Sequence, residues 1–86
     1  MMGRTNSTYR NRLDSLMESF QPFRSALRKQ YRPHLDSLWE KAHRHASAAA
    51  YMNSSNPGLP AMISMMVGLQ KDIRELEERL EELEEG

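Results

Sequence analysis

The chain is expected to be all-α, a helical hairpin or bundle with a long C-terminal coiled-coil helix, and dimeric. Three observations predict this. Leu59, Met62, Met66, Leu69, Ile73, Leu76, Leu80 and Leu83 form an unbroken 4-3 apolar repeat, four heptads that place one narrow stripe along a helix otherwise covered in charge. Tyr9, Leu13, Leu16, Phe20, Phe23 and Leu27 step by the same spacing in the N-terminal half. Pro22, Pro33 and Pro60 then punctuate the chain where one helix would give way to the next.

Taken in order, Asn6, Ser7 or Thr8 offers a side-chain oxygen to cap a first helix over residues 8 to 20. Pro22 lacks an amide donor and restricts Gln21 before it. A kink or a break is expected there, with the second piece running over roughly 22 to 31. The continuing apolar phase favours a kink, or two helices nearly in line. Pro33 suits the first turn of another helix, from His34 to about Met52. Its Leu35, Leu38, Ala42, His45 and Ala49 share a face, with Trp39 and Ala46 beside them. Asn53 to Pro60, with two prolines and a glycine, reads as a loop that lets the chain reverse.

The organisation that follows is a basic helical region over 1–52, a loop over 53–60 and an acidic coiled-coil helix over 61–86. A helix from Pro60 to Glu85 is about 39 Å long at 1.5 Å per residue. A compact chain of this size has a radius of gyration of about 12 Å, so the charged end is expected to project. Its surface carries helix-supporting pairs, Glu75 with Arg79, Lys71 with Glu75 and Arg74 with Glu78. The crowded C-terminal acids oppose the helix dipole, which predicts fraying over Glu84 to Gly86. The preceding helices are expected to cover the Met62 to Leu69 part of the stripe, where Ile63 and Met65 broaden it.

Size and composition point the same way. At 86 residues, with 38% apolar residues and a mean hydropathy of −0.78, the chain has a marginal core of its own, which favours burial shared between chains. No cysteine is present, which excludes a disulfide framework, a thiolate metal site and a cysteine nucleophile. Met1 to Phe20 is polar and Arg-rich and does not resemble a secretory leader. The longest apolar stretch, around Ala61 to Leu69, is broken by Ser64 and Gly68 and is too short to cross a bilayer. A cytoplasmic protein without membrane contact is expected. The triplets Asn6-Ser7-Thr8 and Asn53-Ser54-Ser55, and Gly3 with Ser7, are then chance matches to modification motifs.

The zero net charge hides a division. Residues 1–70 hold nine Lys and Arg against four acids, a net +5, and residues 71–86 hold three against eight, a net −5. Each block solvates its own helices, and the two attract head to tail. Phosphate neutralisation needs clustered cations, and Arg28, Lys29 and Arg32 form the best candidate patch for nucleic-acid contact. No helix-turn-helix glycine or zinc-finger framework accompanies them. His34, His43 and His45 with Glu40 are the only candidate metal ligands, but His43 and His45 point about 200° apart on one helix. No metal, cofactor or catalytic residue is assigned, and the chain is read as non-enzymatic. The seven methionines, Met62, Met65 and Met66 above all, serve as core filler or as an adaptable binding surface.

The opening Met2-Gly3-Arg4-Thr5-Asn6 with Thr8-Tyr9-Arg10, then Arg24 to Arg28, Pro33-His34 with Leu38, and the Pro60 to Glu85 helix resembles a group of small uncharacterised haloarchaeal proteins. The resemblance implies an archaeal cytoplasmic setting and no known activity or site residues. From the residues themselves, the expected function is self-association through the eight-residue stripe, as a dimer that serves as a protein-protein interaction or scaffold module. The alternative is a nucleic-acid-associated accessory or regulatory factor that uses the basic half.

Overall fold

A computed structural model describes residues 2–52 and 55–85, with side chains from Thr8 onward. Every regular element among these residues is helical: α1 (Met2–Ser19), α2 (Gln21–Ala26), a 3₁₀ turn (Lys29–Tyr31), α3 (Arg32–Arg44), α4 (Ala46–Ala50) and α5 (Gly58–Glu85). The cap side chains Asn6 and Ser7, the loop residues Asn53 and Ser54, and Gly86 lie outside the described residues. Thr8 does not start α1, because the helix already runs from Met2.

Pro22 produces a break. Phe20 alone leaves the helix between α1 and α2, and Pro22 sits in the opening turn of α2, where a missing amide donor costs nothing. The second piece is shorter than the spacing predicts. Leu27 and Arg28 turn extended, and the Arg32 guanidinium folds back to donate to the carbonyls of Arg24 at 3.1 Å, Ser25 at 2.9 Å and Leu27 at 3.2 Å. A cation on the last carbonyls of a helix satisfies acceptors that have no partner within it. Arg24 in turn forms a two-point pair with Asp36 of α3, at 2.9 and 2.8 Å. The guanidinium holds the Asp36 carboxyl below its usual range by hydrogen bonding to it.

The helix expected from His34 to Met52 is two helices, interrupted at His45. Neither proline nor glycine causes this break. Instead the turn swings Ala46, Ala49 and Ala50 into the core with Tyr9, Leu13, Trp39, Ala42 and Ala61. Leu13 is completely buried. Phe20 and Phe23 stay exposed on the rim, Phe20 edge-on to both Trp39 and Phe23 with ring centroids 5.6 and 5.9 Å apart.

The Tyr9 hydroxyl is buried with no hydrogen-bond partner among the described residues, and burial raises its pKa. An unpaired buried hydroxyl costs about 1–3 kcal/mol, so removing it relieves a penalty while leaving the ring packed. Tyr9→Phe is therefore expected to leave the melting temperature unchanged or raise it by a few degrees. A fall of 5 °C or more in thermal melts would show that the hydroxyl contributes a bond.

His43 clips α3 to α1. One ring nitrogen lies 2.7 Å from Asp14 Oδ1 and the other 2.9 Å from the Trp39 carbonyl. With acceptors on both sides, the imidazolium is the form that satisfies both. The hydrogen bond to Asp14, then that to the Trp39 carbonyl, raises the His43 pKa above 6.5, against burial and the charge of Arg10. A group whose folded pKa is raised adds stability that is complete below its unfolded value and is lost as pH rises through the folded one. Stability is expected to decline as pH climbs above about 6.5. The change is under about 1 kcal/mol because the pair is partly solvated. Chemical unfolding across this window should show the decline in wild type and a flatter profile in His43→Gln. Parallel profiles would assign the pH dependence to other groups.

The chain does not close into a ball. Its radius of gyration is 15.7 Å, with extents of 52 × 34 × 16 Å, against about 12 Å for a compact chain. The excess comes from α5, 28 residues and about 42 Å long.

Candidate self-association surface

The fold meets α5 on a face of small residues. Pro60, Ala61, Ser64 and Gly68 are the buried positions, and Ser64 Oγ returns its proton to the Pro60 carbonyl at 2.8 Å. Gly68 is required by close approach. The aliphatic stem of Lys41 on α3 lies across it so tightly that an added Cβ would stand 2.7 Å from Lys41 Cδ and 2.9 Å from Cγ. Beyond the glycine, Lys41 Nζ reaches Asp72 at 3.0 Å, with the lysine side chain only 15% exposed. That contact, helped by the charges of Lys71 and Arg44, holds the Asp72 carboxyl below its usual range. Lys41 thus packs with its stem and pairs with its tip. This seam, with Ala61, Ser64, Gly68 and Asp72 spaced 3, 4 and 4 apart, goes unrecognised in the sequence. There Ser64 and Gly68 register only as interruptions of an apolar stretch.

The heptad stripe lies elsewhere on the helix. At about 100° per residue, its mean direction is about a third of a turn from the packed face. Leu59, Met62, Met66, Leu69, Ile73, Leu76, Leu80 and Leu83 are all exposed in the single chain, from 41% at Leu69 to 77% at Leu83. The expectation that the preceding helices cover Met62 to Leu69 is therefore corrected. Those helices occupy the neighbouring face of Pro60, Ala61, Ser64 and Gly68, where small residues leave room for close packing. Ile63 and Val67 are exposed on the far side of the stripe, and Met52 at the end of α4 is exposed as well.

Past Asp72, residues 73–85 are exposed throughout. Lys71 pairs with Glu75 at 2.9 Å, and Arg74 approaches Glu77 at 3.8 Å. α5 remains helical through Glu85, past the point where fraying is expected.

Of the three cations singled out for nucleic acid, Arg32 is engaged with the end of α2, as described above. Arg28 and Lys29 are exposed at the turn between α2 and α3. Among the described residues no three His, Cys, Asp or Glu side chains gather to hold a metal ion. An open groove of about 630 Å³ runs between α1–α2 and α3, bordered by Phe20, Trp39, His43 and the Arg24–Asp36 pair. Of its charged members, Arg24 and Asp36 pair with each other, and His43 pairs with Asp14. No described helix is long and apolar enough to cross a membrane.

No curated protein and no solved structure is significantly similar to this chain. Residues 2–86 match the family model described as Domain of unknown function (DUF8156), and the chain belongs to that family.

Proposed function

We propose that the chain is a non-enzymatic helical protein that self-associates through the α5 stripe, as a dimer, and serves as a protein-protein interaction or scaffold module. One observation carries this: eight large apolar side chains in strict 4-3 register are exposed on a helix whose other face is already packed. Scattered exposed leucines need no explanation, but a contiguous stripe at coiled-coil spacing does. Burying the remaining half of each side chain contributes on the order of 1 kcal/mol. With eight from each of two chains, this outweighs most estimates of the association cost, about 4–15 kcal/mol. A cytoplasmic archaeal setting, implied by the resemblance noted above, belongs to the same proposal. Solution mass at micromolar concentration tests it, for wild type and for Ile73→Asp with Leu76→Asp. A wild-type chain that stays monomeric would reject it.

A second role is favoured by Arg28 and Lys29, exposed cations that form no salt bridge among the described residues. They would contact nucleic-acid phosphates. Because each phosphate contact releases counterions, binding would weaken steeply with salt. Reversing both charges is expected to abolish a salt-sensitive gel shift with DNA or RNA if this role holds. Absence of any shift in wild type at low salt removes it.

A further inference from the structure

The two halves of the stripe differ in what stands behind them. Its midpoint falls at residue 71, one residue before Asp72, the last residue of α5 that forms a salt bridge with the bundle among the described residues. Residues 59–72 are backed by the bundle, and residues 73–83 form a free half of similar length. The backed half is broad and methionine-rich, with Met62, Ile63, Met66 and Val67 all exposed. The free half is narrow and leucine-rich.

Charge divides at the same point. Residues 1–72 carry ten Lys and Arg against five acids, a net +5. Residues 73–85 carry two against seven, a net −5.

We infer that the occupant of the stripe is a second copy of this chain in antiparallel orientation, each free acidic half lying along the partner's bundle-backed half. The inference rests on the self-association proposed above. With the two-fold axis near residue 71, Leu83 of one copy meets the partner's Leu59, Leu80 meets the partner's Met62, Leu76 meets the partner's Met66, and Ile73 meets the partner's Leu69. All eight positions are then paired. Each broad methionine-rich surface receives a leucine edge, which methionine's flexible thioether can fit.

A parallel pair brings two −5 segments together over about 20 Å at an interaxial distance of about 8–10 Å. That distance is within a Debye length at about 0.1 M salt, so the repulsion is felt. It also leaves the free halves as a bare zipper with no bundle beside them. The preference of parallel dimers for β-branched residues at a positions is met only at Ile73, since Leu59, Met66 and Leu80 hold the others. The antiparallel pair instead sets each −5 segment beside a +5 body.

The chain has no cysteine, so a single Glu82→Cys at an exposed position gives a unique label. Spin-label distances between copies are expected near 35 Å in the antiparallel dimer, against less than about 20 Å in a parallel one. In sedimentation, Kd for the antiparallel dimer is expected to rise several-fold between 0.05 and 0.5 M NaCl, because screening removes an attraction. For a parallel dimer Kd would fall, because screening removes a repulsion. A dimeric mass with a short distance, or with Kd falling with salt, overturns the orientation and leaves self-association standing. A monomeric mass at hundreds of micromolar overturns both.

Discussion

Replacing Ile73 and Leu76 together by aspartate is expected to leave only monomers at micromolar concentration. Both residues are exposed in the single chain, and both lie beyond the Lys41–Asp72 pair. The substitutions therefore add no charge to the chain's own core. In a dimer they remove four apolar side chains from the seam, a loss of about 4 kcal/mol before the cost of burying carboxylates is counted. That is about a thousandfold in Kd. Analytical ultracentrifugation reads the result directly. Circular dichroism should show lost helicity only in the free half of α5, since a lone helix of this length is marginal in water. A collapse of the whole helical signal would place these residues in the fold rather than at an interface.

Leu13→Ala is expected to have the opposite profile. Among the described residues Leu13 is the one large side chain completely buried, beside Tyr9, Trp39 and the alanines of α3 and α4. Truncating it forfeits transfer energy and leaves a cavity, typically 2–5 kcal/mol. Few domains hold more than about 5–15 kcal/mol in total, and small ones sit at the low end. The melting temperature should fall by about 10–20 °C, with α1 to α4 unfolding at lower urea than in wild type. A loss smaller than 1 kcal/mol would mean that the bundle is not the stabilising core. Together the two variants are expected to separate folding, at Leu13, from the proposed association, at Ile73 and Leu76.

Much of the fold was legible in the residues. The 3.6-residue apolar period placed helices over most of the chain, and prolines at 22, 33 and 60 marked three of the joins, because a missing amide is tolerated only near a helix start. The projecting acidic end followed from helix length alone. The break at His45 had no such mark. It arises because Ala46, Ala49 and Ala50 pack more closely against α1 and α5 when the chain turns there. Arg32 was equally opaque. A cation beside Arg28 and Lys29 looks like part of a surface patch until the end of α2 is seen to need a donor for its carbonyls.

The sequence by itself determined that α5 is one long helix with an apolar stripe, for those properties depend on local propensity and spacing. Only the tertiary structure decided which face of α5 the bundle takes. Two faces were available, one large and apolar, the other small. Helix packing selected the small one, where Gly68 admits the Lys41 stem and Ala61 and Ser64 are buried. The large apolar face was left exposed.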